Sequence, residues 1–321
     1  MPLETLEFEE PIAVLLKEIE ALTLLPRTDA RDREIETLGR RLVSVRASLY
    51  RSLTPWQRVL VARHPNRPGL EDFIRRLFTG FVELHGDRRF ADDHAIMTGF
   101  AEYKDQPVLL VGHVKGGDTK EKIFRNFGYA RPEGYRKALR AMRLAEKFRR
   151  PIIIFVDTPA AYPGIESEER GVAEAIAVNI RDMMLLDTPI VVIVSGEGGS
   201  GGALGIAIGD RVLMQEFAIY SVIPPEGCAA LVWRDASKKA EAAAALKLTA
   251  PDLLEFGIID EIVGEPVGGA HTDPGAAAQL VDDVLTRVLG EVSAMTSETR
   301  LEKRYQKFRN MGRAGIEFLE E

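Results

Sequence analysis

Two stretches of this chain are apolar at every position, PIIIFV (151–156) and PIVVIV (189–194). A strand with one face in water alternates polar and apolar residues. A run without alternation has to be covered on both faces, so these strands demand helical layers on either side of a sheet. The chain is therefore expected to be α/β. The surrounding segments fit. PEGYRKALRAMRLAEKF (132–148) has helical spacing and precedes the first run; a long helix from about Glu166 to Leu186 precedes the second. A short helix at ALGIAIG (203–209) leads to strands RVLMQE (211–216) and AIYSVI (218–223). Short helices around 224–256 then lead to a last strand, IIDEIV (258–263). AIMTGFAEY (95–103) and PVLLVGHV (107–114) flank a Lys104-Asp105-Gln106 turn and are expected to pair antiparallel.

The first ninety residues carry a different pattern. PIAVLLKEIEALT, DARDREIETLGRRLVSVRASLYRSL, TPWQRVLVAR and GLEDFIRRLFTGFVELHG all read as helices, with Thr54 and Pro55 as an N-cap and first-turn pair. No strand is expected here, and no chemistry. Residues 1–90 are read as a helical wrapping or assembly region and 91–321 as the catalytic domain. The C-terminal ETRLEKRYQKFRN is expected to be helical, and PVGGAHTDPG (266–275) a loop.

Composition narrows the function classes. A formal charge of −7 argues against non-specific nucleic-acid binding. No apolar run approaches the roughly 18 residues of a membrane span, and MPLETLEFEE lacks a basic-then-apolar leader. One cysteine, Cys228, and five scattered histidines exclude an internal disulfide and a zinc ribbon within this sequence, so no metal site is expected. A reducing, cytoplasmic setting fits.

The chemistry concentrates where the second apolar run ends, in SGEGGSGGALG (195–205). Four readings fit these letters. Gly196, Gly198 and Gly201 spell the dinucleotide pattern G-x-G-x-x-G, with Glu216 where a ribose-binding acid would stand, although the following helix is short for that motif. Gly198, Ser200 and Gly202 spell a nucleophile elbow; its triad would draw on His271 and on Asp235, Asp252 or Asp260. Bare backbone N–H groups at a helix start can instead face a developing anion, each worth about 3–4 kcal/mol in acyl chemistry. Finally, the glycines can simply allow tight packing. A P-loop is excluded, because Gly202-Ala203 stands where Lys and Ser/Thr are needed. Two further loops, HVKGGDTKE (113–121) and DTPAAYPG (157–164), follow strand ends, where parallel sheets bind ligands.

Long strings place these loops in a wider pattern: ARHPNRP (62–68), GDRRFADDHAI (86–96), GHVKGGDTKEKIFRNFG (112–128), PEGYRKALRAM (132–142), EERGVAEAIAVN (168–179), GEGGSGGAL (196–204), YSVIPPEGCA (220–229) and GGAHTDP (268–274). With them the chain resembles the α subunit of the carboxyltransferase of multi-subunit acetyl-CoA carboxylase, of bacterial or plastid type. The resemblance implies a crotonase-like superhelix of β-β-α units, with an N-terminal helical extension and C-terminal helices. It implies transfer of a carboxyl group from carboxybiotin, on a separate biotin carboxyl carrier protein, to acetyl-CoA. The product is malonyl-CoA, in the first committed step of fatty acid biosynthesis. It also implies a zinc-ribbon β subunit as partner in an α2β2 assembly. A propionyl-CoA or other acyl-CoA carboxyltransferase is the alternative.

The family motif carries over as catalytic backbone donors at Gly201 and Gly202, facing charge that develops on the ureido oxygen. Lys115, Gly116, Gly117, Tyr162, Gly164, Gly198, Gly199, Glu226 and Gly227 are expected to bind biotin or substrate. Gly202→Pro is expected to abolish transfer and leave the fold intact. The family has glycine where this chain has Ala160, a strain of about 1 kcal/mol or more if that residue needs a positive φ. The basic segment 113–150, including Lys115, Lys120, Lys122, Arg125, Arg136, Lys137, Arg140 and Arg143, is either a solvated helix face or an attractor of CoA phosphates or an acidic carrier. Cys228 is read as a packing residue and His113 as hydrogen-bonded core.

Overall fold

The computed structural model describes residues 6–312. The outer ends of the two expected regions, 1–5 and 313–321, lie outside the described residues.

Helices α1 (Glu10–Thr23) and α2 (Asp29–Arg51) form an antiparallel pair, followed by α3 (Pro55–Ala62) and α4 (Leu70–Leu77). Local chemistry sets their starts. Thr54 accepts from the Gln57 N–H, the Gln57 side chain returns to the Thr54 N–H at 2.8 Å, and Pro55 occupies the first turn. Strands β1 (Thr79–Glu83), β2 (Ile96–Tyr103) and β3 (Gln106–His113) come next, then α5 (Thr119–Phe124), α6 (Pro132–Lys147) and β4 (Ile152–Thr158). Helices α7 (Ile165–Glu169) and α8 (Val172–Met183) lead to β5 (Ile190–Gly199), α9 (Ser200–Leu204), β6 (Arg211–Gln215) and β7 (Ile219–Ser221). The chain continues through α10 (Pro225–Trp233), α11 (Lys239–Ala245), α12 (Ala250–Glu255) and β8 (Glu261–Val263), and closes with α13 (Pro274–Ser293) and α14 (Ser297–Asn310).

The sheet runs β1-β2-β3-β4-β5-β6-β8. The β2–β3 hairpin is antiparallel, with Lys104 and Asp105 both at positive φ in its two-residue turn, and every pairing from β3 onward is parallel. Strand β5 serves two layers. Val191 to Val194 pair with β6, whereas Glu197 to Gly199 pair with β7.

Burial explains the apolar runs. Ile152, Ile154, Val156, Ile190, Val192 and Val194 face one core, built with α6 and α8. The alternate residues Ile153, Phe155, Val191 and Ile193 face a second core, built with α4 and α13. Both faces of the central strands are thus dry, as the missing alternation requires.

Three expectations need correction. The helix expected over 69–86 stops at Leu77, and β1 follows inside a region where no strand was expected. TGFVE is a short β-prone segment whose pairing with β2 is a long-range contact, invisible to local periodicity. The long helix from Glu166 to Leu186 is two helices, broken at Gly171 with φ 76°. The short helix after β5 begins at Ser200 and ends at Leu204, rather than spanning 203–209.

Candidate functional site

The ends of β3, β4 and β5 lie side by side, and their loops are locked together through backbone. Strand pairing continues past a bulge to Thr158 and Gly198. A methyl group at Gly199 would stand 2.8 Å from the Thr158 carbonyl oxygen, and closer still to Pro159. One at Gly202 would stand 2.9 Å from Ala160 Cα and press into the Ala160–Ala161 peptide. Neither position has room for a side chain. Gly202→Pro is therefore not the fold-neutral change expected from the sequence. Gly201 differs: its nearest obstacle is Ile176 Cδ1 at 3.6 Å, and it is partly exposed.

Ser200, at φ 50°, turns the chain from strand to helix. Helix α9 has five residues, and with Gly199 as its N-cap the N–H groups of Ser200, Gly201 and Gly202 precede the first intrahelical donor. At the other end of α9 the Gly205 N–H closes onto the Gly201 carbonyl at 3.0 Å. So short a helix has little macrodipole; what it offers is individual N–H groups.

Below this turn lies a chain of charges. Lys115 Nζ is 2.6 Å from Asp157 Oδ1 and 3.4 Å from Glu197 Oε2. Arg63 grips Glu197 Oε1 through Nε at 2.9 Å and Nη2 at 2.6 Å, and reaches Glu226 Oε1 through Nη1 at 2.7 Å. Asp157 Oδ1 also accepts the Glu197 N–H at 2.9 Å. Burial works against charge on Lys115, but Asp157 and Glu197 outweigh it and raise its pKa; Glu197 and Glu226 do the same for Arg63. The chain borders a cleft of about 420 Å³ between β3 and the α3–α4 turn, lined by Arg63, His64, Asn66, Arg67, Lys115 and Asp157 among others.

The expected site residues divide accordingly. Lys115, Gly116 and Gly117 line the cleft, and Gly116 has φ 85°. Glu226 joins the charge chain at the start of α10, with Gly227 packed on Ile223. Gly198, Gly199, Gly201 and Gly202 form the β5–α9 turn above it. Tyr162 and Gly164 stand apart from the cleft. The Tyr162 N–H binds the Ala130 carbonyl at 2.9 Å, Arg131 lies 4.8 Å over its ring, and Gly164 packs against that ring. Ala160 is not among the residues at positive φ, and its carbonyl accepts from Thr158 Oγ1 at 2.9 Å, so alanine is accommodated there without backbone strain.

Sequence reasoning missed the N-terminal contribution. Residues 1–90 were read as free of chemistry, yet Arg63 and Arg67 from ARHPNRP enter the site. A signal was present: two arginines flanking a His-Pro-Asn turn at the end of a capped helix. The basic segment was read too broadly. Lys137 is buried on Asp92 at 2.7 Å, Arg136 binds Asp87 at 2.8 Å and Arg125 binds Glu71 at 2.8 Å, so much of that charge is neutralised inside the fold.

His113 is buried in the core, as expected, with the Gly202 backbone as a hydrogen-bonding neighbour. Burial, then the charge of Lys115, pushes its pKa down to about 3, against an opposing pull from the Gly202 backbone. His271, the base a nucleophile elbow would need, is stacked on His64 at 3.9 Å and lies 4.0 Å from Glu9. Glu216, the acid of the dinucleotide reading, accepts the Glu265 N–H at 3.3 Å. Cys228 is a free, half-buried thiol.

Comparisons with known proteins give the family and the fold. The profile of the family described as acetyl co-enzyme A carboxylase carboxyltransferase-like matches residues 5–312. The acetyl-coenzyme A carboxylase carboxyl transferase subunit alpha of Geobacter metallireducens is 55% identical over 96% of this chain and 97% of its own length. The protein of the same name from Oceanobacillus iheyensis is 50% identical over 96% and 98%. Among solved structures, transcarboxylase 12S with methylmalonyl-coenzyme A superposes with a TM-score of 0.56 at 18% identity, over 72% of this chain and 43% of that one. A Pseudomonas malonate decarboxylase hetero-tetramer with coenzyme A gives 0.57 at 17%, over 72% and 92%. These likenesses place the fold in the crotonase-like class. No helix among the described residues is long and apolar enough to cross a membrane.

Proposed function

The chain belongs to the acetyl-CoA carboxylase carboxyltransferase-like family, and from that premise we propose that it is the α subunit of a biotin-dependent carboxyltransferase that forms malonyl-CoA from acetyl-CoA, the first committed step of fatty acid biosynthesis. The observation that carries the reading is the β5–α9 turn. It presents short-helix N–H groups beside an open Gly201, on a backbone wedged so tightly that it cannot relax when charge appears.

The bare backbone at Gly201 leaves space for a flat ligand group to approach, which fits a biotin ureido ring. Biotin, bound through a separate carrier protein, supplies a group that carries the carboxyl to be transferred. The N–H groups of Gly201 and Gly202 stabilise the oxyanion that develops as the carboxyl leaves. Gly198 and Gly199 hold the turn in register; Lys115, Gly116, Gly117, Glu226 and Gly227 shape the approach. Tyr162, backed by Gly164, offers a ring face for packing. Asp157, Glu197 and Glu226 are each paired with a cation, so the reading assigns none of the three as general base.

The CoA thioester side of the reaction belongs to a β subunit with a zinc ribbon, in an α2β2 assembly that works in the cytoplasm. Residues 1–90 serve wrapping and assembly, and 91–321 carry out transfer. Malonyl-CoA-dependent carboxylation of free biotin, the reverse reaction, tests the reading. Activity is expected only when this chain is mixed with a β subunit. No activity in the mixture, with Ser200 labelled by a fluorophosphonate, would overturn it in favour of a hydrolase.

A further inference from the structure

We propose that Arg63 is a positioning residue for carboxyl transfer: from the end of α3 it holds the carboxyl end of β5, and through it the Gly201–Gly202 turn, in the reactive geometry. The inference deepens the function proposed above and rests on it. Ser195 and Glu197 are two residues apart on β5, the first offering its backbone carbonyl and the second its carboxylate. The α3–α4 turn meets both. Arg67 Nε donates to the Ser195 carbonyl at 2.7 Å, while its Nη groups form a buried fork on Glu265 at 2.9 and 2.6 Å. Arg63 forks onto the Glu197 carboxylate two residues later. Ser200, where the chain turns into α9, follows Glu197 by three positions.

The two arginines have different jobs. Arg67 and Glu265 have side chains 3% and 0% exposed, an anchor with no access to solvent. Arg63 is 28% exposed at the cleft rim and divides its guanidinium between Glu197 on β5 and Glu226 on α10. It therefore ties three elements, α3, β5 and α10, at the point where the glycine turn is set. A planar fork can grip both carboxylates at fixed angles; a lysine ammonium cannot. Lys115 and Asp157 complete the hold on Glu197 from the other side, through its carboxylate and its N–H respectively.

The test uses the assembled complex with a β subunit and reads kcat and KM for malonyl-CoA in the reverse reaction. Displacing catalytic groups by about 1 Å costs on the order of 10²-fold in rate. Arg63→Gln is expected to lower kcat by that order with KM changed less than threefold, and Arg63→Lys to fall between it and wild type. Glu197→Gln, which leaves α3 intact, is expected to lose a similar factor. The double variant is expected to be no worse than either single one, because both changes cut the same link. A kcat within twofold of wild type in Arg63→Gln and Glu197→Gln overturns the proposal. So do losses that multiply in the double variant, and so does a lowered melting temperature with kcat intact. If Arg63→Gln fails to assemble, Arg63→Lys and Glu197→Gln decide by the same criteria. An inactive wild-type complex would instead sink the proposed function itself.

Discussion

Replacing Gly202 and Gly201 in turn by alanine separates two properties of one turn. Both variants keep the N–H group. At Gly202 the added methyl would lie 2.9 Å from Ala160 Cα and nearer still to the following peptide, whereas ordinary contact begins at 3.4 Å. The turn or the Ala160–Ala161 segment must give way by at least about half an ångström, and what has to move is backbone rather than the end of a flexible side chain. A displacement approaching 1 Å at a site of oriented donors costs about 10²-fold in rate, close to 3 kcal/mol. At Gly201 the methyl meets only Ile176 Cδ1 at 3.6 Å, an ordinary contact. Gly202→Ala is therefore expected to lose about 10²-fold in kcat for biotin carboxylation in the complex. The folded state should lose about 1–3 kcal/mol, the usual penalty of overpacking. Gly201→Ala should retain the fold and lose activity only so far as its methyl obstructs the ligand, which would appear in KM before kcat. Steady-state assays with a melting curve for each variant check this. Equal kcat for wild type and Gly202→Ala would refute the claim that the wedge on Ala160–Ala161 sets the donor geometry.

Two further outcomes follow from buried charge. His113 and His271 have pKa values pushed down to about 3, in both cases by burial first. Between that value and the ordinary 6.5 the unfolded chain binds protons that the folded one refuses, so stability falls as pH drops through this window, by about 1.4 kcal/mol per unit for each histidine. From pH 6.5 to 5 the loss is about 2 kcal/mol each; denaturant titrations should show His113→Gln removing one such contribution from the slope, and an unchanged slope would contradict its burial as a neutral ring. Arg304 on α14 places Nε on Asp210 at 2.8 Å and its other donors on the Met183, Leu186 and Thr188 carbonyls and again on Asp210. Arg304→Met is expected to cost about 3–5 kcal/mol, because it leaves Asp210 buried without its cation, and a melting temperature within a degree or two of wild type would refute the reading of α14 as a buried clamp.

Much of this architecture was legible in the sequence for identifiable reasons. PIIIFV and PIVVIV lack alternation, and both faces of β4 and β5 are covered. The Lys104-Asp105 turn is short and local, and its hairpin registers as the letters imply. What escaped was non-local. β1 exists because Thr79 and Val82 find partners on β2. Arg63 matters because Glu197, more than a hundred positions away in sequence, receives it. Lys115 was expected to bind biotin or substrate, and what the letters could not show is that its ammonium meets two carboxylates of the fold. Gly171 was visible as a letter, but only its left-handed φ shows that it ends one helix and begins another. The glycine loop allowed four readings: His271 is stacked on His64, Glu216 accepts a backbone N–H, Gly199 and Gly202 are packed against backbone, and the N–H groups at the start of α9 are the ones the proposed function uses.

The central claim is that a backbone N–H, and no side chain of this chain, carries the catalytic charge. The direct measurement replaces the Gly202 residue by glycolic acid, exchanging one N–H for an oxygen without adding an atom to the crowded turn. Biotin carboxylation by the assembled complex is then compared with wild type. The account predicts a fall in kcat of about 10²–10³-fold, the cost of one oxyanion donor, with the melting temperature nearly unchanged. A kcat within a few fold of wild type would contradict it.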